Sequence, residues 1–139
     1  MINQIGSIGG HYTKVRDFMN QAGQIGQLDR KARRLRATLI LEEAMEACAA
    51  MGFRVKGICT GSVELRDCKL DSLADVAKEL CDLHVVTTGA MVSFGIPWEC
   101  LDVVDDNNLL KIKNGSRRPD GKLVKHKDHP PVDFSSLLI

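Results

Sequence analysis

Apolar residues recur at intervals of three and four along four stretches of the chain, which is typical of amphipathic helices. The predicted helices cover about residues 12–24, 30–53, 71–94 and 96–113. Asp29 is a plausible N-cap of the second helix, Met51-Gly52 is a plausible stop, and Pro97 suits the first turn of the fourth helix. The pattern predicts an all-α fold built on four helices.

Two segments depart from this helical pattern. Residues 54–70 contain two short apolar runs separated by Thr60-Gly61-Ser62, which favours a small β-hairpin or an irregular excursion. Residues 114–139 are polar and basic before a short apolar end, and they are expected to form an extended arm. We therefore expect one domain over residues 1–139, with a helical core at about 12–113 and a basic arm at about 114–139.

Composition narrows the class of protein. The chain has 139 residues, with 19 basic and 18 acidic residues and a formal net charge of +1, so an overall basic nucleic-acid binder is not indicated. The five cysteines are odd in number and include no Cys-x-x-Cys pair, which favours a reducing compartment. The N-terminus lacks the pattern of a secretory signal, and the longest uncharged stretch, Leu83 to Trp98, is too short to span a membrane. The expected location is the cytoplasm.

The informative feature is a set of carboxylates that continue apolar helix faces. At about 100° per residue, Glu46 shares its side of the second helix with Leu35 and Leu39. Glu79 shares its side of the third helix with Leu83 and Val86 in the same way. A solvated acidic face is the ordinary interpretation of such a run, but it would carry the apolar neighbours outward as well. Burial of ionised carboxylates without a cation is costly, and a bound metal removes that cost.

The spacing of these acids supports a metal site. Glu43 and Glu46 stand three residues apart, as do Glu79 and Asp82, so each pair presents two ligands on one helix face. Two facing helices would bring the four carboxylates together, and ligation by oxygen alone suits Mg²⁺ or Mn²⁺. A di-iron centre of the ferritin type would require Glu-x-x-His, and no histidine follows any of these acids by three residues.

These motifs resemble those of the all-α nucleoside triphosphate pyrophosphohydrolases, the MazG-like and phosphoribosyl-ATP pyrophosphohydrolase-like group. The family motif Glu-Glu-x-x-Glu followed by Glu-x-x-Asp is present as residues 42–46 and 79–82. Further similarity lies in Gly95-Ile96-Pro97, in Asn108-Leu109-Leu110-Lys111 and in residues 120–125 of the arm. The resemblance covers roughly residues 12–131, and the insertion at 54–70 departs from the compact members of the family.

The resemblance implies a four-helix MazG-like bundle that hydrolyses a nucleoside triphosphate between its α- and β-phosphates. The products would be a nucleoside monophosphate and pyrophosphate, and the cofactor would be Mg²⁺, with Mn²⁺ possible. The substrate would be a deoxynucleotide such as dUTP or a non-standard nucleotide. The resemblance assigns Glu43, Glu46, Glu79 and Asp82 as metal ligands, and Glu42 as a further ligand or as the base that orients water. Asp75 is a weaker candidate, for which helix capping is about equally favoured.

A triphosphate also requires a basic and polar lining. No Gly-x-x-x-x-Gly-Lys-Ser/Thr phosphate loop is present, so phosphate binding is assigned to side chains and metal. The expected substrate-binding residues are Asn108, Lys111, Lys122 and Lys125, although each lysine read alone is equally consistent with a solvated surface residue. The arm is expected to close over the site when nucleotide and metal bind.

Two further expectations concern partners. The second helix is apolar nearly all round, which predicts a homodimer or homotetramer, and neither a membrane nor a stable nucleic-acid partner is expected. The alternative to an enzyme is a metal-stabilised helical dimer whose basic arm binds nucleic acid. The arm carries no interleaved aromatic residues, which counts against that alternative.

Overall fold

The computed structural model describes residues 7–59 and 61–138. Four helices lie within these residues: α1 (Ile8–Gln21), α2 (Arg30–Ala50), α3 (Leu73–Ser93) and α4 (Glu99–Asn114). Two antiparallel pairs of strands accompany them: β1 (Phe53–Cys59) with β2 (Ser62–Asp67), and β3 (Ser116–Arg117) with β4 (Leu123–Val124). The predicted helical fold is confirmed in the main, but the two small sheets mean that the chain is not fully all-α. None of the described helices is long and apolar enough to cross a membrane.

The described residues divide into two compact units. The first unit spans Tyr12–Gly95 and contains most of α1, all of α2 and α3, and the β1–β2 hairpin. The second unit combines the described residues before Tyr12 with those after Gly95. The expectation of a single domain over residues 1–139, in which a helical core at about 12–113 is followed by a basic arm at about 114–139, stays a prediction.

Side-chain caps explain where the helices begin. The Asp29 carboxylate accepts a hydrogen bond from the Ala32 backbone N–H at 2.8 Å, which confirms the predicted start of α2. The Ser72 hydroxyl accepts from the Asp75 N–H at 3.1 Å and fixes the start of α3. Helix α1 begins earlier than its apolar pattern indicates, because Ser7 Oγ accepts from the Gly10 N–H at 3.1 Å and supports a first turn that contains two glycines.

The predicted hairpin lies between α2 and α3 and returns the chain to the end of α2. Gly52 follows α2 with a φ of +93°, a conformation that glycine adopts without strain. Its carbonyl accepts from the Cys68 N–H at 2.8 Å, just after β2, and the Ala50 carbonyl accepts from Asp71 N–H at 3.0 Å. The start of α3 is thereby held at the end of α2, and the two helices pack against each other.

The apolar core of the first unit is small. Val15 and Met19 of α1 and Val92 of α3 are buried together. Small residues on α2 complete the packing, with Ala47 and Ala50 each 2% exposed. Ser93 is 1% exposed and donates its hydroxyl to the Gln27 carbonyl at 2.8 Å, which ties the end of α3 to the connection between α1 and α2.

Arg36 departs from the solvated basic face that the arginine-rich start of α2 indicates. It is 6% exposed, and its Nη2 donates to the Gln24 side-chain carbonyl at 2.6 Å. Its buried Nε has no hydrogen-bond partner among the described residues. Burial lowers the pKa of the guanidinium from its ordinary value. A buried cation with a neutral partner is therefore part of the interior of this unit.

The arm after α4 is more ordered than its polar composition indicates. Strands β3 and β4 pair through a turn at Gly121, whose φ is +86°, and the Asp120 carboxylate accepts from the Lys122 N–H at 3.1 Å. Further along, the Asn107 amide donates to the Pro130 carbonyl at 3.0 Å while its oxygen lies 2.7 Å from His129 Nε2. Asn107 thus fastens the distal arm to α4 within the second unit.

Candidate metal centre

Three carboxylates from α2 and α3 meet in the first unit. Glu43 of α2 and Glu79 and Asp82 of α3 each offer an oxygen atom, and these atoms lie within 4.8 Å of one another. Glu79 and Asp82 stand three residues apart on α3 and therefore project from one side of it. Since α2 and α3 pack against each other, Glu43 is brought to the same place from the neighbouring helix. The sequence predicts that four carboxylates of these two helices converge, and three of them, Glu43, Glu79 and Asp82, meet here.

The cluster is partly withdrawn from solvent. Glu43, Glu79 and Asp82 are all half-buried, and the Glu79 side chain is 20% exposed. One oxygen of Glu43, Oε2, and one of Glu79, Oε2, are buried without a hydrogen-bond partner among the described residues. A buried carboxylate oxygen that accepts no hydrogen bond is costly, so these two atoms favour an additional positive ligand at this point.

Burial and nearby negative charges both disfavour the ionised form of Glu43. Desolvation raises the pKa of the Glu43 carboxyl above its ordinary value, and the neighbouring charges of Glu46, Asp82 and Glu79 raise it further. Lys78 acts in the opposite direction. The centre therefore disfavours a third negative charge unless a cation joins it.

Lys78 is the cation that the described structure supplies at this cluster. Its Nζ donates to Asp82 Oδ2 at 2.7 Å and to Glu79 Oε1 at 3.2 Å. These two hydrogen bonds raise the pKa of the Lys78 ammonium above its ordinary value, so the group stays charged. Lys78 is not among the predicted site residues, yet its position one residue before Glu79 and four before Asp82 is a signal of this contact.

Glu42 and Glu46 lie outside the three-carboxylate group. Both are exposed, although the charge of Glu46 is close enough to raise the pKa of Glu43. Their assignments as ligand or base stay predictions. Asp75 is exposed and accepts a hydrogen bond at 2.6 Å from the hydroxyl of Ser72 at the start of α3. For Asp75 the structure therefore favours helix capping over a contribution to the metal centre.

The predicted substrate-binding residues lie in the second unit. Lys111 donates to the Asn108 side-chain oxygen at 2.8 Å, and both line a cavity of about 410 Å³ with apolar walls from Leu109, Ile112 and Leu123. Lys122 and Lys125 are exposed on the arm, Lys122 immediately before β4 and Lys125 immediately after it. Asn108 and Lys111 are thus brought together at one cavity, and their part in binding substrate stays a prediction.

The donor set fits a hard divalent cation. Glu43, Glu79 and Asp82 supply oxygen ligands alone, without the imidazole or thiolate that Zn²⁺ or Cu²⁺ sites prefer. Three protein carboxylates leave coordination positions for water and for phosphate oxygens, as is usual for Mg²⁺. These residues would hold the ion from two helices of one unit.

Comparison with known families places the chain in one family. A family model described as phosphoribosyl-ATP pyrophosphohydrolase matches residues 24–108. The chain belongs to this family, which is part of the MazG-like nucleoside triphosphate pyrophosphohydrolase superfamily. No curated protein matches the chain. The matched range includes every predicted carboxylate and Asn108, whereas Lys111, Lys122 and Lys125 lie beyond it.

Membership of this family confirms the resemblance drawn from the sequence motifs. It supports an enzyme of the hydrolase class, a pyrophosphohydrolase that acts on a nucleotide-like substrate. The family is typically metal-dependent, in keeping with the acidic cluster.

Proposed function

We propose that the protein hydrolyses a nucleoside triphosphate between the α- and β-phosphates and releases a nucleoside monophosphate and pyrophosphate. The observation that carries the proposal is the meeting of Glu43, Glu79 and Asp82 in a chain of this family, where two of their buried oxygens accept no hydrogen bond from the described residues. The proposed cofactor is Mg²⁺, with Mn²⁺ as a substitute, and the proposed fold is a MazG-like bundle. dUTP and non-standard nucleotides are the proposed substrates.

The roles of the residues follow from charge and position. A divalent cation would neutralise phosphate charge and lower the pKa of bound water. Glu43, Glu79 and Asp82 would hold it, with Glu46 as a further ligand. Glu42 would be a further ligand or would accept a hydrogen bond from the attacking water. Its exposure suits contact with solvent.

For the triphosphate we assign Asn108 and Lys111, together with Lys122 and Lys125 of the arm. Lysine is a common phosphate ligand, and the hydrogen bond between Lys111 and Asn108 holds the ammonium at the mouth of the cavity. The apolar walls of that cavity suit a nucleobase or sugar face. We propose that the arm closes when nucleotide and metal bind.

Self-association is part of the proposal. Three large apolar residues of α2, together with Met51 directly after it, are at least 40% exposed in the single chain; the three are Leu35, Leu41 and Met45. Exposed apolar side chains concentrated on one helix are typical of an interface, so we propose a homodimer or homotetramer. Light scattering at micromolar concentration tests this, and a monomer would contradict it.

The test of the activity is product analysis over a nucleotide panel. Purified protein is incubated with Mg²⁺ and with standard, deoxy and oxidised triphosphates, including dUTP, and the products are separated by anion exchange. Equal amounts of monophosphate and pyrophosphate support the proposal. Diphosphate with orthophosphate would place the cleavage at the wrong bond, and no product from any nucleotide would favour the non-enzymatic, nucleic-acid-binding alternative.

A further inference from the structure

Lys78 pairs with two of the three carboxylates that meet at the candidate metal centre. Its Nζ lies 2.7 Å from Asp82 Oδ2 and 3.2 Å from Glu79 Oε1. The other oxygen of Glu79, Oε2, is buried and has no hydrogen-bond partner among the described residues. One oxygen of Glu79 thus accepts a hydrogen bond from the ammonium, and the other is available to a different ligand.

The Lys78 side chain is also exposed to solvent. It is 65% exposed, and a lysine ammonium on its four-carbon stem reorients easily and binds phosphate as a point charge. A divalent cation on Glu79 and Asp82 would repel this ammonium and weaken its ion pairs. A triphosphate next to that cation would then offer another negative charge within its reach.

We propose that Lys78 is a built-in counter-cation of the metal centre that moves from the carboxylates to substrate phosphate when metal and nucleotide bind. The second half of this proposal depends on the proposed function. The first half concerns the protein without nucleotide: Lys78 neutralises the acidic cluster in the absence of metal, and it opposes metal binding by occupying the same carboxylates.

The first test is a Mn²⁺ titration without nucleotide, in which electron paramagnetic resonance measures the concentration of free Mn²⁺. At about 4 Å and the dielectric constant of water, removal of one positive charge beside a divalent cation corresponds to roughly 30-fold tighter binding. We therefore expect Lys78→Met to bind Mn²⁺ about 30-fold more tightly and Lys78→Arg to bind it as the wild type does. The matched control is Lys56→Met, because Lys56 forms a similarly exposed ion pair with Glu64 at 3.0 Å in the hairpin.

Equal affinity in Lys78→Met and Lys56→Met would overturn the counter-cation role, since the ion pair would then be an ordinary surface contact. Weaker Mn²⁺ binding in Lys78→Met would overturn it as well, because Lys78 would then be holding the ligands in place. Absence of Mn²⁺ binding in the wild type would have the same effect. Circular dichroism of the metal-free variants verifies that all of them are folded.

The second test measures kcat/KM for a triphosphate at saturating Mg²⁺. Lys78→Met should lose about tenfold or more, the value of one hydrogen bond to a charged group, even though it binds metal more tightly. Tighter metal binding with unchanged kcat/KM would overturn the transfer to phosphate alone. If the wild type hydrolyses no nucleotide, the proposed function fails and this transfer fails with it, while the Mn²⁺ titration still decides the counter-cation role.

Discussion

Replacement of Gln24 by alanine should lower the free energy of unfolding by about 1.5–3 kcal/mol, because Gln24 supplies the hydrogen bond of a buried guanidinium. Arg36 is 6% exposed, and its Nη2 lies 2.6 Å from the Gln24 oxygen. Its Nε already lacks a partner within the described part of the chain, so loss of Gln24 leaves the charge still less compensated.

The assay is urea unfolding at fixed protein concentration, so that any self-association contributes equally to all variants. Typical unfolding entropies give a melting-temperature change of about 3–4 °C per kcal/mol for a chain of this length, so Gln24→Ala should melt about 5–10 °C lower. Gln27→Ala is the matched control. Its side chain donates to the Gly23 carbonyl at 3.0 Å but is exposed, and its removal should change stability by less than about 0.5 kcal/mol.

Arg36→Met provides the decisive background for this prediction. Methionine fills similar volume and removes the buried charge, so Gln24→Ala made on top of Arg36→Met should cost less than about 0.5 kcal/mol. An equal loss in both backgrounds would show that Gln24 acts through the packing of its loop and would refute the reasoning. A loss in the wild-type background no larger than that of Gln27→Ala would do the same.

Three other predictions concern the acidic cluster and the arm. The pKa of Glu43 is raised in the folded state, so ionisation of this carboxyl lowers the free energy of unfolding. The loss grows as pH rises from the ordinary glutamate range through the raised pKa. Glu43→Gln should therefore stabilise the chelated protein at about pH 7 and lose this advantage near about pH 4, as measured by urea unfolding at the two pH values. Lys122→Ala and Lys125→Ala should each lower kcat/KM for triphosphates by about tenfold, whereas Lys127→Ala in the same steady-state assay should change it little. Asn107→Ala removes the contacts with Pro130 and His129 and should therefore speed tryptic cleavage after Lys127, as measured by mass spectrometry over a time course. An unchanged cleavage rate would mean that Asn107 does not hold the distal arm.

The fold was largely predictable because its signals are local. Asp29 as a cap, Met51-Gly52 as a stop and Gly61 between the two strands each act within a few residues, and α2 and the hairpin follow them. The start of α1 was missed because a hydroxyl at Ser7 outweighs the low helix propensity of the adjoining glycines. The β3–β4 pairing depends on a short turn inside a polar segment, where alternation of apolar residues is too brief to read.

Three of the predicted acids meet at the candidate site, whereas the sequence did not single out the cation beside them. Spacing placed Glu79 and Asp82 on one side of α3, and the apolar stripe indicated that this side faces another helix. The same spacing argument places Glu43 and Glu46 on one face of α2 and does not distinguish between them, although only Glu43 of this pair joins the three-carboxylate group. The reason is that the angle at which α2 meets α3 decides between them, and no local pattern encodes that angle. The burial of Arg36 likewise depends on how α2 lies against the rest of its unit.

The most direct measurement of the central claim is pyrophosphate release by the wild type, Glu79→Gln and Glu64→Gln over a range of triphosphate concentrations at saturating Mg²⁺. Glu79 belongs to the carboxylate group, whereas Glu64 lies on the hairpin in an exposed ion pair with Lys56. The account predicts that Glu79→Gln loses at least about 100-fold in kcat/KM, with its helical circular dichroism unchanged, and that Glu64→Gln keeps the wild-type value. Equal activity in the two variants, or full wild-type activity in excess chelator, would contradict the account.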